Sequence, residues 1–427
     1  MFGRYKWVGL GIFAVIAVAA SVNLSSRTVD FQVYYLGAGD FFRGLRPVYG
    51  ALSGVGWPMH YRYPPLFLFL FAPLTLLPMT LAAGIWVGAK FVVLGYLLKM
   101  LLERLNFPSR YWWVAFLIAG PFVIQEFQYG NVQFFTFALV AFACLLSRTK
   151  PLRAGAALAL ATSIKVWPLF FFPYLLVRRD WKTLGAASAL TVLMTLLPIF
   201  YFGVGGTFDL LGQWTRQEVL TQTGSTQFWY PSQSLRGVLM RYLTVIDYSV
   251  VPDSEYPRYL ESIGYQFTPD DNYPLVEVAD LDPALVRALW FILAGAAYAG
   301  LLALAFVRRH SDGLADYAAA WCALVLLQPF TQKYALAVLL WPALIAALLI
   351  GRRVGVPRWV RIVIYASTTL IALQPFLSGS PLQRNLQVVG LDFVATCLLG
   401  LTMVWVSFRR VRLDRESPEK SSPASSG

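Results

Sequence analysis

A chain of 427 residues that is 58% hydrophobic, 16% aromatic and only 13% charged has too few polar residues to cover a soluble domain of its size, and its mean hydropathy is +0.59. The formal net charge of +13 does not point to nucleic acid, because the basic residues stand in short clusters beside apolar runs, the positive-inside pattern. Several of those runs reach the roughly 20 residues that cross about 30 Å of hydrocarbon, without period-two alternation, so the chain reads as an all-α polytopic membrane protein. Cys144, Cys322 and Cys397 all lie in apolar runs, and His60 and His310 add no ligand cluster. No disulfide framework, metal site or cofactor is expected.

Arg4 and Lys6 hold the start of a first span, about 7–24, in the cytoplasm. A signal peptide is the alternative for this stretch, with a cleavage site between Ala17 and Ser21, but an uncleaved helix fits a membrane-embedded chain better. Residues 1–29 thus form the first helix, and 30–62 an outer loop containing a short interfacial helix, Gln32 to Phe42. The membrane core, 63–202, restarts at Tyr63-Pro64-Pro65, where proline suits a first helical turn. It holds a short piece at 66–77, spans at about 80–102, 111–127 and 131–147, a stretch at 154–177, and a span at about 183–202. Basic clusters flank 154–177 on both sides, so it reads as two short helices broken near Lys165-Val166-Trp167-Pro168.

Residues 203–283 carry 11 of the 22 acidic residues and four arginines, and are placed outside as one polar loop with an amphipathic stretch at Leu235 to Leu243. Segments at about 284–306, 314–330, 334–350, 360–376 and 388–408 make a C-terminal bundle, 284–408, before a Ser/Pro-rich cytoplasmic tail, 409–427. The expected total is about 12 crossings with both termini inside.

Sorting intramembrane polar residues by depth gathers Asp30, Arg62, Gln128, Asn131, Gln133, Lys165, Gln233, Gln332 and Lys333 near the outer leaflet. Asp30 stands where the first helix meets water, with Tyr34 close behind it; it is either a functional carboxylate or a plain helix-end acid. Lys165 lies deep in an apolar stretch and needs an anionic partner; it is a counter-ion for lipid phosphate, or it snorkels to the interface. Lys333 reads the same way from a presumed outer turn. Asn131 and Gln133 flank a glycine turn and suit sugar hydroxyls, with helix capping by Asn131 as the ordinary explanation. Gln233 lies in a polar segment that leads into an amphipathic stretch on the membrane surface, or belongs to a loop-to-helix cap, and Arg62, between Tyr61 and Tyr63, holds phosphate or sits among headgroups. P-loop, GxSxG, HExxH and CxxC patterns are missing from their usual contexts. One carboxylate with several cations and amides at one face suits transfer from an anionic lipid donor: a base takes a proton from the acceptor hydroxyl while cations stabilise the departing phosphate.

Five stretches carry a resemblance: Asp30-Phe31-Gln32-Val33-Tyr34-Tyr35 with Gly44 and Tyr49, Tyr63-Pro64-Pro65-Leu66-Phe67 with Ala72 to Pro78, Gly130-Asn131-Val132-Gln133, Ala154 to Pro168 around Lys165, and Gln233-Ser234-Leu235-Arg236-Gly237. In this order, across about residues 30–345, they resemble the motifs of the bacterial family 87 glycosyltransferases of the GT-C superfamily, which includes mycobacterial mannosyltransferases and arabinofuranosyltransferases. The resemblance implies a multi-span, inverting glycosyltransferase that moves a hexose, mannose first, or a pentose from a polyprenyl-phosphate sugar to a lipid or glycan acceptor. The reaction would take place at the outer face of the bacterial cytoplasmic membrane. It implies Asp30 as catalytic base, Lys165, Lys333 and Arg62 at the donor phosphate, and Asn131, Gln133, Gln233, Tyr34 and Tyr63 at sugar or acceptor. Two departures stand out: the usual Gly-Gln-x-Asn is Gly130-Asn131-Val132-Gln133, and the late Ser-Pro-x-x-Trp motif is Gln328-Pro329-Phe330-Thr331-Gln332-Lys333. A transporter or flippase of a lipid-linked sugar is the competing reading, although no inverted repeat is visible, and a non-catalytic scaffold is a third.

Overall fold

The computed structural model describes residues 15, 18–23, 28–49, 61–107, 111–220, 232–245, 276–311, 313–351, 356–377 and 381–409. Most of the expected first span, His60 with the rest of 50–60, residues 221–231 and 246–275 of the polar region, and the tail 410–427 lie outside them. Among the described residues the chain is all helical, without strands.

The N-terminal part runs through α1 (Val29–Phe42), α2 (Pro65–Phe71), a 3-10 segment (Ala72–Leu76) and α3 (Met79–Arg104). Pro64 caps α2 and Pro65 opens it, since a first-turn residue has no intrahelical acceptor to lose. Then come α4 (Trp112–Tyr129), α5 (Gln133–Leu146), α6 (Pro151–Ile164), a 3-10 turn (Trp167–Phe170), α7 (Phe171–Val177), α8 (Trp181–Leu196) and α9 (Ile199–Thr215). The C-terminal part holds α10 (Leu235–Leu243), α11 (Pro283–Val307), α12 (Leu314–Leu327), a 3-10 segment (Lys333–Leu339), α13 (Leu340–Gly351), α14 (Arg358–Ala372), α15 (Pro381–Val389) and α16 (Leu391–Arg409).

Among the described residues, four segments are long and apolar enough to cross a membrane: α3, α11, Lys333–Gly351 and α16. A fifth is reached if the bent pair α8 and α9 is one span, and shorter apolar helices of 10–17 residues accompany them. The chain is therefore a multi-pass membrane protein. Side chains such as Phe200 and Val92 point outward, 90% and 71% exposed, as lipid-facing residues do.

Three expectations change. The span at 183–202 does not end in a loop: it turns by 90° at Leu197-Pro198 and continues as α9 and a π-helical turn, Arg216–Leu220, so the start of the polar region is helical. The segment at 334–350 begins as a 3-10 coil rather than as one α-helix. The segment at 388–408 is divided at Gly390, whose positive φ of 85° separates α15 from α16.

Without water to drive association, helices in lipid are held by close packing, which favours small residues at contacts. Gly155 of α6 lies so close to α8 that a Cβ there would come within 2.5 Å of the Ala186 Cβ. Beyond α6, Trp167 packs on Trp321 with centroids 5.6 Å apart and on Phe171 at 6.3 Å. Lys165 is thereby fixed between a tight helix pair and an aromatic anchor.

Candidate functional site

The site is built on the turn between α4 and α5. Gly130 adopts a φ of 69°, and a Cβ at that position would meet Thr28 Cβ at 2.8 Å and Phe31 Cβ at 2.9 Å. Glycine is therefore required twice, by dihedral and by the close approach of α1. Several backbone groups of the turn find partners, as buried polar groups require. Trp86 Nε1 donates to Gly130 O at 2.8 Å, Val132 N donates to Tyr34 Oη at 3.1 Å, and Gln133 N donates to Asn131 Oδ1 at 2.8 Å. Phe134 N donates to Glu126 Oε1 at 2.9 Å.

With the turn fixed, its two amides face opposite charges. Asn131 Nδ2 donates to Asp30 Oδ2 at 2.9 Å, and Lys165 Nζ donates to Gln133 Oε1 at 2.7 Å. A carboxylate only accepts and an ammonium only donates, so the shorter amide shows its NH2 to Asp30 and the longer one its oxygen to Lys165. The exchange of the two amides relative to the family pattern is chemically neutral on this account, since either type can serve either charge. Asn131 closes the turn by accepting from Gln133 N and reaches Asp30 with the same side chain; the helix N-cap is Val132, without a side-chain cap bond. Gln133 Nε2 is buried and has no hydrogen-bond partner among the described residues.

Burial pushes Asp30 up to about 6, against the Asn131 hydrogen bond and the fields of Lys165 and Lys90, which draw it down. Behind it, Tyr34 and Tyr63 pair their hydroxyls at 2.9 Å, and Tyr49 Oη donates to Tyr63 O at 2.6 Å. Their rings pack with Phe67 and Trp86 into one aromatic wall. Arg62, half exposed, lies 3.6 Å from Glu218. The α9 end ties to the same strand of chain through Trp214 Nε1 to Arg62 O at 3.2 Å and Gln217 Nε2 to Tyr61 O at 2.8 Å.

Two sequence-predicted residues are placed elsewhere. Lys333 Nζ donates to Gln374 Oε1, Gln374 Nε2 donates to Asp392 Oδ1, and Lys333 lies 3.8 Å from Asp392 Oδ2. Gln233 is held by backbone: its Nε2 donates to Gln387 O at 2.9 Å, and its N donates to Thr331 O at 2.7 Å. Ser234, next along, caps α10 by accepting from Gly237 N at 3.0 Å, as an ordinary loop-to-helix cap does. This second cluster meets the first where Tyr334 packs on Tyr129, centroids 5.6 Å apart.

Sequence reasoning missed Lys90 and Glu126, a fully buried ion pair at 2.8 Å between α3 and α4. The available signal was a lysine in mid-span and a glutamate four residues before the glycine turn, both costly in an apolar helix. It also missed Glu218 and Asp392. Among the described residues no group of three or more His, Cys, Asp or Glu side chains is placed to hold a metal.

The model of glycosyltransferase family 87 matches residues 61–329. That range includes Arg62, Tyr63, Asn131, Gln133, Lys165 and Gln233, and leaves Asp30, Tyr34 and Lys333 outside. Among curated proteins, the chain is 31% identical over 177 residues to a polyprenol-phosphate-mannose-dependent alpha-(1-2)-phosphatidylinositol mannoside mannosyltransferase of Mycolicibacterium smegmatis, covering 36% of this chain and 40% of that protein. It is 30% identical over 202 residues to the protein of that description from Mycobacterium tuberculosis, covering 42% and 47%. A pentamannoside mannosyltransferase of M. smegmatis is 27% identical over 182 residues, covering 41% and 44%. The matches span less than half the length of these relatives. No solved structure matches the chain significantly.

Proposed function

This chain belongs to glycosyltransferase family 87, and from that premise we propose that it transfers a sugar from a polyprenyl-phosphate sugar, mannose first, to a lipid or glycan acceptor. The observation that carries the reading is the Gly130–Gln133 turn, which presents one amide to a carboxylate and the other to an ammonium. Asp30 takes the proton of the acceptor hydroxyl, and the acceptor oxygen attacks the anomeric carbon from the face opposite the phosphate. The bond from that carbon to the phosphate oxygen breaks, the configuration inverts, and polyprenyl phosphate leaves with the electron pair. Lys165 and Arg62 stabilise the charge that grows on that oxygen, a task for which pre-placed cations in a water-poor site are well suited. Gln133 Nε2, buried and unpartnered, supplies a donor for a sugar or phosphate oxygen. Tyr34 and Tyr63 form the wall against which a sugar ring stacks.

In this reading the site faces the outer side of the bacterial cytoplasmic membrane, both termini lie in the cytoplasm, and short helices bring the number of crossings to about 12. Protein in lipid vesicles, given a panel of polyprenyl-phosphate sugars and acceptors, is the test. Mass spectrometry should find a new glycosidic product and free polyprenyl phosphate. Donor movement across the vesicle with no new glycosidic bond would overturn the reading in favour of a transporter.

A further inference from the structure

The buried pair between α3 and α4 takes no part in the chemistry above, yet its contacts run straight into the turn. Lys90 Nζ lies 2.8 Å from Glu126 Oε2 and donates to Glu126 O at 3.3 Å. The other carboxylate oxygen, Oε1, accepts from Phe134 N, one of the free N–H groups in the first turn of α5. Glu126 thus reaches over its own helix end and fixes the start of the next helix, while Lys90 balances its charge. Both side chains are 0% exposed. A buried ion pair is a weak device for stability, since an apolar pair of similar volume often serves as well. Its retention here has a local explanation in what stands on the turn it holds.

We propose that Glu126, with its charge balanced by Lys90, is a positioning residue for the transfer reaction: by fixing the first turn of α5 it keeps Asn131 on Asp30 and Gln133 on Lys165. The inference rests on the function proposed above. A loosened turn lengthens the Asn131 hydrogen bond, so the Asp30 carboxylate loses a contact that favours its charged form. The groups that face Asp30 are Lys90 from α3, Glu126 and Asn131 from α4 and its turn, Lys165 beyond α6, Tyr34 on α1, Tyr63 before α2, and Tyr334 from the 3-10 segment. Of these, Asn131 alone bonds the carboxylate directly among the described residues.

The test compares two paired variants of the full chain in lipid. Lys90→Met with Glu126→Leu removes the charges together and also the acceptor for Phe134 N. Lys90→Met with Glu126→Gln removes the charges but keeps that acceptor. Two quantities are read: turnover of polyprenyl-phosphate mannose against pH, and the pH midpoint at which a hydrophobic carbodiimide labels Asp30, followed by mass spectrometry of its peptide. The second needs no substrate.

The Leu pair should lose at least about tenfold in kcat with KM nearly unchanged, and its labelling midpoint should rise by about one unit from near 6. The Gln pair should stay within about threefold of the parent in kcat and keep the parent midpoint. An unmoved midpoint in a folded Leu pair overturns the inference, whether or not the protein transfers sugar. A parent that transfers no sugar while the midpoint moves as stated overturns the function and leaves the positioning role standing. If the Leu pair does not fold, the Gln pair decides alone: a tenfold loss or a shifted midpoint there assigns the effect to the missing charges and overturns the inference.

Discussion

Two buried clusters in this molecule each contain one lysine, one aspartate and glutamine, and they use them in opposite ways. Around the Gly130 turn, Asp30 and Lys165 are held by separate amides, Asn131 and Gln133, and make no direct ion pair with each other among the described residues. At the end of the bundle, Lys333 and Asp392 approach to 3.8 Å with Gln374 bonded to both, and nearby Gln233 and Arg241 are taken up by backbone carbonyls. A cluster that neutralises itself contributes to packing. One that holds its charges apart leaves each with an amide for a partner. Residue type alone does not separate the two; partner geometry does.

Removing one lysine from each cluster breaks that comparison most severely. Lys333→Met leaves Asp392 buried and unpaired, and should cost about 3–5 kcal/mol of stability in a detergent unfolding titration. Adding Asp392→Leu should recover most of the loss and leave transfer within about threefold of the parent, because no charge is then stranded. A double variant that stays folded but inactive would move Lys333 back to the reaction. Lys165→Met should do the reverse, retaining most of the unfolding midpoint while lowering turnover about 100-fold, on the scale of losing one pre-placed transition-state contact.

Gly130→Ala attacks the separation of charges through the backbone. The left-handed φ and the contacts with Thr28 and Phe31 should cost about 2 kcal/mol or more, and turnover should fall with stability. The pH profile gives a gentler test. A base raised to about 6 is ionised above that pH and protonated below it. Turnover should therefore fall about tenfold per unit on the acid side of 6. A profile flat down to pH 4 would contradict the role of Asp30. Arg62→Gln should be mildest, about three- to tenfold in donor KM, since a half-exposed cation in an ion pair with Glu218 contributes less than a buried one.

Much of the first cluster was legible in the sequence, because a carboxylate at a helix end, two amides around a glycine and a lysine before Trp-Pro are costly in apolar surroundings whatever they contact. The break at Lys165 was legible too, from basic clusters on both sides and from Pro168. The second cluster was not. Gln374 and Gln387 stand 41 and 154 residues from the Lys333 and Gln233 they hold, and depth along the membrane does not say which polar residues meet. Lys90 and Glu126 escaped because both interrupt otherwise regular apolar helices and cancel each other there. The right-angled turn at Leu197-Pro198 escaped because length and hydropathy do not report direction.

The most direct test of the central claim is Asp30→Asn in lipid vesicles supplied with labelled polyprenyl-phosphate mannose, reading donor binding and product formation on the same preparation. The amide keeps the size of the side chain and a hydrogen-bonding partner for Asn131 but cannot take a proton at neutral pH. Donor binding within about threefold of the parent, with turnover reduced about 1,000-fold or more, is the predicted result. Product formed at the parent rate would contradict it.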